Sequence, residues 1–513
     1  MSVKFAGSIA TVGYSITQAQ CYGTKPVIES YFAGISIFSM LISLSQSGQL
    51  AEMFVPEYHR IKSEHGLGAA ERAFSVVLNW LMVPTLIFSL ASFIFAAPVI
   101  DLAFPGFDTS QKANAVMVFR ATCLLLNIEI AAALMKTVLN AEADYGRPEQ
   151  IGIGISIAGI AILLLTSKVF GIWALVGVFV LGKICLITFL SLFLKRKNVK
   201  YKLTFSDPRF DSVAFFRNAL ATIGYVSCTQ IYSITLNALL SKAPQGTYAI
   251  FGYVQNVYGR LRGTVFTPLI TVFFTHFSSS LHSSEKPEEA NNSARTAMAF
   301  CLSASLTIWI LITFFGEFSF KLLWGSKNFS DESIYFAWTI MVVNGIALAI
   351  DSIGSIYRKI TISIGKASAA YSCWSVAQLT TAVIVYLLFA NYGRDAARFI
   401  FLVNSALLAT CSWSLVYTNR PSLSSLINFA EITRISIVFI ALMPIAWLIS
   451  FGQTIPTVSN SRIIGLLFVS GSSTVIISIF FGFASICGVK GTRELLARVR
   501  HKFKRTSKLR PIN

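Results

Sequence analysis

Long apolar runs recur along this chain, and they constrain its fold more than any other feature. Fourteen fall near residues 4–22, 27–50, 74–100, 113–140, 150–168, 172–194, 215–240, 247–275, 294–318, 334–357, 367–390, 397–417, 432–451 and 463–487. A helix needs about 20 predominantly apolar residues to cross the hydrocarbon core of a bilayer. A membrane barrel would instead show segments of about ten alternating residues. The runs are continuous, so the expected fold is an all-α polytopic membrane protein of about 14 transmembrane helices. The first run is the weakest, short and rich in Ser, Thr and Gln.

Composition points the same way. Of 513 residues, 54% are hydrophobic and 13% charged, against about 25% charged in soluble proteins. No polar stretch is long enough to form a separate domain. The net charge of +19 does not indicate nucleic acid, because the bases sit in short loops and the tail rather than on one continuous surface. Such loops record membrane orientation. Basic connections include "KRKNVKYK" from Lys195, the loops bearing Arg60, Lys62 and Arg72 or Arg358, Lys359 and Lys366, and the tail "RELLARVRHKFKRTSKLR" from Arg493. Alternate loops ("SKAPQG", "ANYGRDAAR", "FGQTIPTVSNSR") are poorer. An even number of spans with this bias places both termini in the cytoplasm. It also makes "AEMFVPEYHRIKSEHG", from Ala51, a cytoplasmic turn between the second and third spans. The tail reads as a topology determinant, with binding of anionic lipid as the alternative.

No cofactor or metal is expected. The eight cysteines are scattered through apolar segments without a CxxC or Cys/His cluster, and small buried hydrophobes are what such cysteines usually are. His59 and His65 share a loop but lack further ligands. The N-terminus has no basic n-region or A-x-A-type site, so no cleaved signal peptide is expected. The longest loops are short and carry no catalytic constellation, which argues against a membrane glycosyltransferase or polymerase.

An internal echo suggests duplication. "ATVGY" at Ala10–Tyr14 returns as "ATIGY" at Ala221–Tyr225, inside the first and seventh runs. It divides twelve helices into two sets of six, a plan common in transporters with a site between the repeats. The expected organisation is a six-helix lobe over 1–200, a second over 201–420, two extra spans over 421–490 and a basic tail over 491–513.

The stretch "GQLAEMFVPEYHRIKSEHG" from Gly48 resembles the junction between the second and third helices of the MviN/MurJ family of lipid II flippases. That family belongs to the multidrug/oligosaccharidyl-lipid/polysaccharide (MOP) exporter superfamily. "AAPVIDLAFPGFD" from Ala96 resembles its loop after the third helix, and "LNAEADYGRPEQIGIGISI" from Leu139 its junction into the fifth. The similarity is clearest over the first two hundred residues. It implies two six-helix lobes arranged in a V around a central cavity, with a groove for a lipid tail on the last two helices. It also implies a place in the bacterial inner membrane. The implied substrate is an undecaprenyl-diphosphate-linked glycan, carried outward by alternating access: a lipid II-like precursor or a polysaccharide repeat unit. Membrane lipids, and a coupling cation or the membrane potential, are the other implied partners. The alternative is a cation-coupled small-molecule exporter of the same superfamily.

A diphosphate headgroup cannot cross hydrocarbon unaided, so charges inside the spans are the residues to weigh. The resemblance implies arginines on the first, second and eighth helices facing the diphosphate. The first-helix positions here are Ser8 and Tyr14 and the second-helix position is near Ile42, none basic. This departure leans the reading towards a polysaccharide repeat unit. On the eighth helix the family arginine falls near Asn256, with Arg260 one turn on and on the same face. Arg260 is the expected phosphate-facing cation, because a guanidinium matches phosphate geometry; pairing within the bundle is the alternative. Arg262, two residues further, cannot share that face on a regular helix. Glu29 aligns with an acidic family position and reads either as a cavity carboxylate or as a helix-end residue paired with Lys25. Glu129 and Asp351 are candidates for ion or proton coupling, with structural pairing the alternative and Arg358 on a similar face to Asp351. Lys183 is a weaker candidate, Arg120 and Lys136 can snorkel, and Pro84 and Pro268 mark kinks.

Overall fold

The computed structural model describes residues 2–45, 47–142, 146–197, 199–213, 215, 222–281, 287–419 and 429–489. The basic tail and the start of the second echo, Ala221, lie outside the described residues. The helices are α1 Ser2–Tyr22, α2 Pro26–Leu44, α3 Ser47–His65, α4 Leu67–Ile94, α5 Ala96–Ala103, α6 Thr109–Cys123, α7 Leu126–Ala141, α8 Gly146–Phe170 and α9 Ile172–Arg196. They continue with α10 Ile223–Lys242, α11 Thr247–Leu261, a π-helical turn Arg262–Phe266, α12 Thr267–Leu281, α13 Pro287–Trp324, α14 Asp331–Ser363, α15 Ala367–Tyr392, α16 Ile400–Asn419, α17 Phe429–Ser450, α18 Pro456–Asn460 and α19 Arg462–Ile486.

Each expected span overlaps a described helix, although 27–50, 74–100, 113–140 and 247–275 are each divided between helices and part of 215–240 lies outside the described residues, and the fold is all-α and polytopic. Among the described residues ten helices are long and apolar enough to cross a membrane. The count is eleven if α6 and α7, bent by 47°, form one span. The expected first, seventh and eighth spans (α1, α10 and α11 with α12) fall short of that test. Two of these, α10 and α11, wall the polar cavity described below.

The chain forms two compact units, one of residues 1–260 with 326–333 and 378–396, the other of 261–325, 334–377 and 397–513. In the first, α2 packs against α6, and Gly34 sets their approach. A Cβ there would lie 2.6 Å from Val118 Cγ1, so any larger residue would force the helices apart. In the second unit, Ile310 and Phe315 of α13 form a core with Val438 and Leu442 of α17 and Ile476 and Phe480 of α19, all buried. The last two spans are thus built onto α13.

The segment after Ala51 corrects the expectation of a turn: α3 runs through it as a helix. Phe54, Tyr58 and Ile61 are fully buried and their i, i+4, i+7 spacing puts them on one face. Arg60, on the opposite face, pairs with Glu57 and Glu64. Burial of each of these large side chains contributes about 1.5–3 kcal/mol. On the inner flank Lys62 Nζ lies 2.6 Å from Glu142 Oε1, which also accepts from the Tyr58 hydroxyl at 2.9 Å. Burial alone would lift the Glu142 carboxyl, but Lys62, Tyr58 and the nearby Lys197 outweigh it and hold it below the usual carboxylate range. The loop after α9 is tied down likewise. Arg72 Nε lies 2.7 Å from Asp207 Oδ2, and Asn79 Nδ2 donates to the carbonyls of Lys202 and Thr204. At Asp207 burial again raises the pKa, and the Arg209 amide and the Arg72 guanidinium together bring it down.

Candidate functional site

The first unit holds a cavity of about 330 Å³ between α2, α10 and α11. Its walls alternate rings with small polar groups: Phe32, Ser36 and Ser39 from α2, Ser233 and Asn237 from α10, Tyr248, Phe251, Gln255 and Asn256 from α11. Asn237 Nδ2 donates to Ser36 Oγ at 3.0 Å, and the Tyr248 hydroxyl donates to Asn237 Oδ1 at 3.4 Å. Gly252 lets α11 approach α2, since a Cβ there would stand 2.9 Å from the Phe32 ring. Phe32 in turn meets Tyr253 edge-on at 5.2 Å.

Glu29 fixes the start of α11. Its carboxylate is 3% exposed and accepts from Gly246 N–H at 2.9 Å, Ala249 N–H at 3.4 Å and Gln111 Nε2 at 3.0 Å. An acidic group at a helix N-terminus meets both the orphan amides and the positive end of the dipole. These groups, rather than the Lys25 ammonium, are its partners among the described residues, and Glu29 is not among the side chains lining the cavity. Gln111 does double duty: its Oε1 accepts from Asp108 N–H while Asp108 Oδ1 accepts from Gln111 N–H, a capping box that begins α6.

The Pro-Gly-Phe turn just before this box has a physical reason. Gly106 N–H donates to Ser241 Oγ at 3.1 Å, and a Cβ on Gly106 would stand 2.4 Å from the Ser241 carbonyl oxygen. Only glycine lets the turn sit on the end of α10. Phe104 and Phe107 stack at 5.1 Å and both present to the edge of Tyr248, at 5.3 and 5.8 Å. The turn, Gln111 and Glu29 therefore brace one wall of the cavity from behind.

The remaining candidates are placed as follows. Asn256 lines the cavity, and Arg260, one turn along α11, is exposed and makes no hydrogen bond or ion pair with the described residues. Glu129, in the first turn of α7, lies 2.6 Å from Lys183 Nζ of α9, whose ammonium also sits 5.2 Å from the Phe179 ring centroid. Sequence reasoning missed this pair, because no local spacing links positions on α7 and α9. In the second unit Asp351 is held between two guanidiniums, Arg262 Nε at 2.6 Å and Arg358 Nη2 at 3.0 Å. Arg358 also donates to Ser355 Oγ. Asp351 is 9% exposed and Arg262 48%. The π-turn makes the first contact compatible with Pro268. Proline lacks an N–H and its ring crowds the preceding turn, and here Thr267 N–H reaches back five residues to the Arg262 carbonyl instead.

A bundle of apolar helices with a polar cavity and paired charges inside the spans defines a multi-pass membrane protein. Its fold is that of the MOP superfamily. The structure titled "Lipid II flippase MurJ, inward closed conformation" superposes with a TM-score of 0.73 at 16% identity, over 93% of this chain and 98% of that one. An inward-facing multidrug resistance MATE family transporter of the MOP superfamily gives 0.64 at 15% identity, over 82% and 95%. The sequence carries the assignment further: the profile of the family described as "Lipid II flippase MurJ" matches residues 18–350. The chain belongs to the MurJ family. A curated relative, "Probable lipid II flippase MurJ" of Rhizobium meliloti (strain 1021), is 23% identical over 342 residues, 64% of this chain. The match spans 63% of that relative's length.

Proposed function

We propose that this protein is a flippase of the inner membrane, with both termini cytoplasmic, that moves an undecaprenyl-diphosphate-linked saccharide to the outer leaflet by alternating access. The observation that carries this reading, alongside the family, is the cavity of serines, Asn237, Gln255 and Asn256 between α2, α10 and α11, with Arg260 one helical turn from Asn256. Hydroxyls and amides suit sugar hydroxyls, offering donors and acceptors without the desolvation cost of charge. Arg260 suits the diphosphate, because its guanidinium binds phosphate oxygens in pairs. Glu29 positions α11, and Glu129 and Asp351, with their cationic partners, are the groups where ion or proton coupling would act. A small-molecule exporter would call for carboxylates facing its cavity, whereas Glu29, Glu129 and Asp351 are each taken by internal partners.

The test is complementation of a strain depleted of its lipid II flippase, comparing wild type with Arg260→Ala. Rescue by wild type and its loss in the variant, at equal membrane abundance, is the result expected for a lipid II-like substrate. Failure of both, with the wild-type protein in the membrane, moves the substrate to a polysaccharide repeat unit, which the non-basic Ser8, Tyr14 and Ile42 favour. Deletion should then abolish one surface glycan. Rescue by Arg260→Ala as good as by wild type would remove Arg260 from the mechanism.

A further inference from the structure

The ion pair between Glu129 of α7 and Lys183 of α9, 2.6 Å long, has a third charged neighbour. Lys136 stands seven residues beyond Glu129, two turns along α7 and on the same face. Together α6 and α7 are apolar enough to cross the membrane as one bent span, so this ammonium belongs to a span. It is half-buried and makes no hydrogen bond or ion pair with the described residues. Glu129, its own helix neighbour, is already taken by Lys183.

A second acid links this lysine to the cavity side of the unit. Glu149, in the first turn of α8, is half-buried and turned towards α1, its Oε2 3.8 Å from where a Cβ on Gly7 would stand. Its carboxylate is within electrostatic reach of Lys136 and also of Arg260. Lys136, Lys183 and Arg260 thus face only Glu129 and Glu149, and one positive charge is left over. An unmatched cation in a span is costly and asks for an anion. One carboxylate common to an ammonium and a guanidinium suits replacement by a ligand with two linked anionic groups, because each cation then takes one of them. We infer that Lys136 is a second cargo-binding cation, which meets one phosphate of the diphosphate while Arg260 meets the other. This rests on the reading of the cargo as a diphosphate-linked lipid, and adds the residue that would tell a diphosphate from a monophosphate.

The test uses the full-length protein in detergent, with bound lipid read by native mass spectrometry during titration with undecaprenyl diphosphate or undecaprenyl monophosphate. Wild type should retain the diphosphate preferentially. Lys136→Gln should weaken diphosphate retention about ten-fold and leave the monophosphate nearly unchanged, whereas Lys136→Arg keeps most of the preference. Glu149→Gln removes the competing carboxylate and should tighten the diphosphate, a gain that a merely structural Lys136 would not produce. Lys136→Arg and Glu149→Gln keep the test open if Lys136→Gln melts early. A preference unaltered in Lys136→Gln, or diphosphate retention unchanged or weakened in Glu149→Gln, overturns the role of Lys136 and leaves the cargo standing. Equal retention of the two lipids by wild type does the same. Retention of neither lipid by wild type overturns the reading of the cargo, and this inference with it.

Discussion

The cavity walled by α2, α10 and α11 carries its polarity on hydroxyls and amides, whereas the cluster on α14 carries it on one carboxylate and two guanidiniums. Neutral groups can face an open cavity at small cost and exchange partners with a ligand. Charges in a span cannot stand alone, because removing one partner leaves the other without compensation. The Asp351 cluster is consequently a closed unit, each charge already answered. Around the cavity the charge lies elsewhere: Glu29 is sealed against the α11 amides, and Arg260 stands one turn beyond the neutral walls. The polarity of an open cavity and that of a closed ion-pair cluster thus rest on different chemistries.

The sharpest way to break this contrast is at Asp351. Replacing it by alanine leaves Arg358 buried and unanswered, and breaking a buried pair costs about 3–5 kcal/mol. Arg262→Ala should cost far less, because Arg262 is 48% exposed and Asp351 keeps Arg358. Melting curves of the purified protein check the ranking. If Asp351→Ala melts no lower than Arg262→Ala, the cluster is not a structural unit.

Glu29 supplies the next largest effect. Alanine there deprives Gly246, Ala249 and Gln111 of their common acceptor, and an unsatisfied buried donor costs about 1–3 kcal/mol. Glu29→Gln keeps one oxygen for the α11 amides and should retain most of the stability and of the complementing activity. Equal loss in the two variants would mean that charge, not hydrogen bonding, is what position 29 provides, and would make Glu29 a candidate coupling group.

Much of this was legible before any coordinates. The spans follow from hydropathy because the bilayer demands about 20 apolar residues per helix, and Asp351–Arg358 follows from seven-residue spacing on one helix. The bracing turn at Gly106 was visible as a motif, though its reason, the end of α10 lying against it, is a contact across 135 positions. Glu129–Lys183 and Lys62–Glu142 were hidden for that same reason. The helix α3 was hidden differently: its proline and its charges mimic a turn, and the signal that reveals it is the four- and three-residue spacing of Phe54, Tyr58 and Ile61.

The smallest effect lies where α3 meets Glu142. This is an ion pair at the margin of the bundle, with Lys62 36% and Glu142 17% exposed, so solvent screening limits it to about 1 kcal/mol. Its pH dependence has a definite sign. The folded carboxyl titrates below its unfolded value of about 4.3, being held down by Lys62 and Tyr58 against the effect of burial. The contribution is therefore fully present above the ordinary carboxylate range and disappears as the pH falls through the depressed folded value. Glu142→Gln should lower the melting temperature slightly at pH 7, and the gap to wild type should close as the pH is taken below about 4. A gap that widens on acidification would mean that Glu142 is protonated in the fold and that α3 is held by its buried aromatic stripe alone.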